Sequence, residues 1–111
     1  MSLFNHLHLE GNISRIVRSD SPDGAICYDI RLAVEREDGS REFVNLKGFA
    51  DEEYDPWVDY QRGMDCRFDC TVRSLESPNG TMSNVIVCLN AFPLPTKKTL
   101  KLIEKIPTDP N

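Results

Sequence analysis

Between residues 41 and 50 the chain alternates two kinds of side chain, and one of the two sets carries the chemistry needed to hold a nucleotide strand. Phe43, Asn45, Lys47 and Phe49 share one face of an extended segment, while Val44, Leu46, Gly48 and Ala50 share the other. The second set is small and apolar and suits an interior, which turns the first set towards solvent. Aromatic faces stack bases, at about 1–3 kcal/mol each, and cations neutralise phosphates. Arg31, Arg36 and Arg73 lie on outward faces or near strand ends and are further candidates for phosphate contact. Arg15 and Arg18, near the end of the first strand, rank just below them.

Other chemistries find little support. No Ser or Cys sits in a nucleophile motif, no His-Glu-x-x-His helix is present, and no Gly-rich phosphate loop precedes a helix. Neither catalysis nor a cofactor is expected. His6 and His8 alternate and share a face, but no third ligand is evident nearby, so edge or subunit contacts are their expected role and no metal is. Cys27, Cys66, Cys70 and Cys88 contain no Cys-x-x-Cys pair and sit inside apolar or alternating segments. Free thiols there behave as small hydrophobes, so the expectation is four reduced thiols, mostly buried.

Five strands must position these groups, over about 4–18, 25–37, 41–50, 64–76 and 82–92. Ile26, Tyr28, Ile30, Leu32 and Val34 form one alternating apolar series, and Met64, Cys66, Phe68, Cys70 and Val72 another. Ser21-Pro22-Asp23-Gly24, Glu37-Asp38-Gly39-Ser40 and Ser77-Pro78-Asn79-Gly80 supply turns. Gly11 suits a bend or bulge in a long first strand. The run from Val85 to Leu89 is continuously apolar, which predicts cover on both faces, inside the barrel or at an interface. Between the third and fourth strands, Asp55 as N-cap, Pro56 at the first position and Gly63 as terminator predict a two-turn helix that plugs the barrel end with Trp57 and Tyr60. Three strands, a short helix and two strands is the order of an all-β, five-stranded OB-fold barrel. That domain is expected to span residues 1–93. Residues 94–111 form a basic tail, read either as a short helix docked through Leu100 and Ile103 or as a disordered end.

Composition is compatible with this. A chain of 111 residues is one domain, and no apolar run approaches the roughly 20 residues that span a bilayer. The first residues lack the pattern of a secretion signal, so a cytoplasmic location is expected. Charge is the awkward term: 13 Lys and Arg face 18 Asp and Glu, a net of −5. Residues 1–96 carry −7 and residues 97–111 carry +2, with Asp51, Glu52, Glu53, Asp55 and Asp59 clustered together. A strand binder needs that cluster to face away from its ligand.

Several segments also resemble the bacterial single-stranded DNA-binding proteins. Asn5 to Asn12, followed by Ile13, resembles their opening strand; Gly24-Ala25 and the alternating strand after it resemble the second. Residues 42–50 resemble the third, and Tyr60 to Met64 resembles the approach to the fourth. Primosomal replication protein N, a dimeric relative on the same fold, is similar at this level. The resemblance covers roughly residues 4–92 and places Phe43 and Phe49 where that family has base-stacking aromatics. Two departures stand out: Leu75, Glu76 and Ser77 where a stacking aromatic is usual, and a basic final segment where the family has an acidic, Phe-ending one. The resemblance implies a non-enzymatic binder of single-stranded DNA of low sequence specificity, acting in replication, repair or recombination. It further implies a homo-oligomer, dimer or tetramer, with replication or recombination proteins as candidate partners. Stacking platforms do not of themselves distinguish sugars, so RNA stays open beside DNA. The rival expectation is an OB-fold protein–protein interaction module in which carboxylates such as Glu35, Glu37 and Glu42 ring the Phe43 face.

Overall fold

A computed structural model describes residues 5–95 and 97–105. Five strands, β1 (Leu7–Asp20), β2 (Ile26–Glu35), β3 (Arg41–Ala50), β4 (Asp65–Glu76) and β5 (Met82–Pro93), close into a barrel in the order β1-β2-β3-β5-β4. The β1–β2, β2–β3, β1–β4 and β4–β5 ladders are antiparallel, and a short parallel pairing of β3 with β5 completes the ring. Among the described residues no helix is long and apolar enough to cross a membrane.

The three hairpin turns share one design. Gly24, Gly39 and Gly80 each donate an amide to the carbonyl three residues back, and the next residue's carbonyl accepts from the residue that opens the turn. Each glycine has φ between 83° and 90°, the left-handed region that a type I turn followed by a bulge requires.

Both alternating series point inward. Ile26, Tyr28, Ile30 and Leu32 from β2 meet Cys66, Phe68 and Cys70 from β4, with Ile13, Leu46, Cys88 and Trp57 completing the core. Gly11 serves a close approach more than a bend: a Cβ there would lie 2.3 Å from the Ala33 carbonyl oxygen. The irregularity of β1 comes just after it, between Ile13 and Arg15. The apolar run of β5 is open on its outward side, where Leu89 is exposed.

The helix expected between the third and fourth strands does not form. Residues 51–64 are a chain of turns, and the one helix described is α1 (Lys97–Glu104), after β5. The capping bond is present, since the Trp57 amide donates to Asp55 Oδ1 at 3.0 Å. The rest of the segment spends its backbone groups elsewhere. Tyr60 bonds back to Trp57 over three residues, and Gly63 and Met64 exchange bonds with Ile13 of β1 at 2.8 and 2.9 Å. Too few bonds are left for a helical ladder, whose nucleation is costly in so short a segment. The plug itself is in place. The Trp57 indole is buried beneath Gly48, where a Cβ would sit 2.9 Å from two indole atoms, and its Nε1 donates to the Phe49 carbonyl. The Tyr28 hydroxyl donates to Asp55 Oδ2 at 2.6 Å and ties the loop to β2. In α1, Leu102 and Ile103 are exposed rather than docked; Leu100 lies among the side chains outside the description.

Candidate nucleic-acid interface

Strand register builds the outward surface of β1, β2 and β3 row by row. Arg15 lies opposite Arg31, which lies opposite Asn45; the next row is Val17, Asp29 and Lys47; beyond it come Ser19, Cys27 and Phe49. Phe43 stands at the other end, opposite Ala33. Between this surface and the early part of β5 runs an open groove of about 840 Å³. Arg15, Asp29, Arg31, Phe43, Asn45 and Lys47 supply its aromatic and polar wall, and Val17, Val85 and Ile86 its apolar wall.

The Phe43 ring is 59% exposed, a large apolar area for a side chain with no structural need to face water. The Arg31 guanidinium carbon lies 5.1 Å from its centroid, within cation–π range. Ser14, the extra residue of the β1 irregularity, orients that arginine. Its Oγ accepts from Arg31 Nε and donates to the Arg31 carbonyl, both at 3.0 Å. Lys47 Nζ donates to Asp29 Oδ1 at 2.6 Å, and this bond raises the ammonium's pKa. Three cations thus face one carboxylate along the groove.

Of the residues singled out from sequence, Phe43, Asn45, Lys47 and Arg31 come together here. Phe49, 52% exposed, shares their face but lies past the end of the groove. Arg36 is ion-paired with Glu42 beside the β2–β3 turn. Arg73 is exposed on β4, opposite Val85 of the groove wall but outside the lining. Arg15, ranked below the other arginines from sequence, lines the groove beside Arg31. Its parity with Arg31 depends on the extra residue at Ser14, which no residue type announces. Asp29, which was not singled out from sequence, holds Lys47. A second cation–aromatic pair, Arg67 over Phe92 at 4.6 Å, joins β4 to β5 and was not foreseen.

Asp29 lines the groove, and the acidic residues singled out from sequence keep clear of it. None of Asp51, Glu52, Glu53, Asp55 and Asp59 lines it, nor do Glu35, Glu37 and Glu42. Glu52 approaches Gly24, which puts this loop beside the β1–β2 turn at one end of the barrel.

Solved structures with the same barrel are numerous. The N-terminal domain of PriB from Thermoanaerobacter tencongensis, described as dimeric, superposes with a TM-score of 0.65 at 14% identity over 83% of this chain and 98% of that one. The fold is that of the single-stranded DNA-binding and PriB proteins. The single-stranded DNA-binding protein of Thermus aquaticus gives 0.64 at 15% identity, covering 86% of this chain and 53% of that one. The mitochondrial single-stranded DNA-binding protein Rim1 of S. cerevisiae gives 0.61 at 16%, covering 84% and 97%. No protein-family model and no curated sequence matches the chain.

Proposed function

We propose that the chain binds single-stranded DNA through the β1–β2–β3 groove, as a non-enzymatic module of low sequence specificity. The observation that carries this reading is Phe43: an exposed ring, backed by a fixed guanidinium, in a groove whose cations outnumber its carboxylates. Bases stack on Phe43, and Arg15, Arg31 and Lys47 meet phosphates, while Asn45 offers an amide to either. Phe49 extends the platform beyond the groove, and Arg73 and Arg36 act at its margins. Replication, repair or recombination in the cytoplasm is the setting that suits such a module.

A homo-oligomer would align several grooves along one strand and raise avidity. The exposed Leu89 and Phe92 of β5 support it. Light scattering giving a strict monomer at working concentration would count against this part.

The test is fluorescence anisotropy with a labelled oligo-dT of about 35 nucleotides, enough for at least two OB folds, at several salt concentrations. Salt-sensitive binding that Phe43→Ala weakens supports the proposal. A protein-interaction module is the second reading, favoured by the ion pairs that already occupy Lys47 and Arg36. It gains if the folded protein ignores the oligonucleotide at low salt.

A further inference from the structure

His6 and His8 are not alone on their face. The β1–β4 register sets His8 directly opposite Asp69, a residue 61 positions away in the chain. One nitrogen from each imidazole and one Asp69 oxygen all lie within 4.8 Å of one another. The two rings stack with centroids 4.5 Å apart. Asn5 fixes the approach: its side chain accepts from the Val72 amide and donates to the Val72 carbonyl, both at 2.6 Å, pinning the chain to β4 just before His6.

Asp69 Oδ1 is the informative atom. It is shielded from water, and its one close partner is His8 Nδ1 at 2.7 Å. The nearest other cationic group, Arg67 Nε, stands 3.9 Å off and makes no hydrogen bond, its guanidinium lying over the Phe92 ring. A buried carboxylate oxygen whose only close partner is one imidazole nitrogen has little to offset its lost hydration, and a metal cation held between it and both imidazoles offsets more.

We propose that His6, His8 and Asp69 form a binding site for a divalent transition metal, with Zn²⁺ the best match. Two imidazoles and a carboxylate suit Zn²⁺ and its borderline neighbours, and disfavour Mg²⁺ and Ca²⁺, which need mostly oxygen ligands. Zinc–ligand bonds of about 2.0–2.2 Å put tetrahedral ligand atoms roughly 3.3 Å apart. The three atoms lie within 4.8 Å of one another, and both imidazoles are exposed, so neither is packed against rotation towards that spacing. Water completes the coordination. Bound there, the ion cross-links the start of β1 to β4, on a face separate from the groove.

Isothermal titration of the thiol-reduced, chelator-stripped protein with Zn²⁺ tests this. One ion per chain is expected, with a rise in Tm that EDTA reverses. His6→Gln, at an exposed position, and Asp69→Asn each weaken binding by at least about 10–100-fold, the range typical of outer-shell changes alone. Phe43→Ala leaves it unchanged, so failure here and failure of the DNA reading are separable. Co²⁺ substitution yields no thiolate charge-transfer band. The site is refuted by a thiolate band, by one ion per two chains, by no uptake, or by uptake that His6→Gln leaves intact.

Discussion

Arg31 holds its guanidinium 5.1 Å from the centre of the Phe43 ring, and it can do so because Ser14 anchors its Nε from the neighbouring strand. The cation occupies one side of the aromatic without covering it, as the ring's 59% exposure records. A base and a phosphate can then be met at one place. Phe43→Ala is therefore expected to lower affinity for oligo-dT by about 1–3 kcal/mol, with the melting temperature almost unchanged because the ring is outside the core. Phe49→Ala, past the groove end, produces a smaller loss. Anisotropy titrations beside thermal melts of the same samples check both.

Lys47 is the cation whose availability a carboxylate controls. Asp29→Asn removes that partner and frees the ammonium for phosphate. Binding should tighten several-fold at low salt, and the slope of log affinity against log salt should steepen by about 0.7, one phosphate's worth for a single strand. Adding Lys47→Ala to that variant should flatten the slope again by a similar amount. Unchanged slopes in both variants would place Lys47 outside the contact.

Gly48 and Trp57 are in a contact that admits no extra atom. Gly48→Ala sets a methyl 2.9 Å from the indole, and the expected destabilisation is about 1–3 kcal/mol in urea melts. Tyr28→Phe keeps the ring but leaves Asp55 Oδ2 without its 2.6 Å donor. It should cost about 1–2 kcal/mol, with the oligonucleotide affinity retained.

Thiol chemistry should separate the four cysteines. Cys27 is partly accessible and reacts first with an alkylating agent, whereas Cys66, Cys70 and Cys88 are buried and react only on unfolding. Burial pushes the Cys66 thiol from 9.0 up to about 11. Above 9.0 the unfolded chain gives up that proton while the native one keeps it. Native stability is thus complete below pH 9, declines as pH rises towards 11, and levels there as far as this group is concerned. Cys66→Ala should lessen the alkaline decline in a pH series of denaturant melts.

Much of the barrel could be read in advance because a half-buried strand writes its period into the chain. In β2 and β4 every second residue is apolar, and in β3 Gly48 and Ala50 are too small to belong outside if Phe43 and Phe49 are to avoid crowding an interior. The turns were legible for a similar reason, each ending on a glycine that alone enters the left-handed region cheaply. Residues 51–64 misled because Asp-Pro and a closing Gly punctuate helices and turns alike. What decided between them was Ile13, a residue 50 positions from Gly63 whose backbone claims the loop's hydrogen bonds. Arg15 and Asp69 were illegible on the same principle. One depends on an extra residue that shifts parity in β1, the other on a ladder register that pairs distant strands.

The barrel is sealed by its slightest ladder. β3 and β5 meet in only two aligned pairs, Leu46 with Ile86 and Lys47 with Val87, and those residues join positions 40 apart in the chain. The groove lies over this seam, with Lys47 on one bank and Ile86 on the other. Any ligand seated there acts as a clasp: it spans the line along which the cylinder parts most readily. Occupancy and opening of the wall are then mutually exclusive, so amides of Leu46 and Val87 would exchange with solvent more slowly in the bound protein than in the free one.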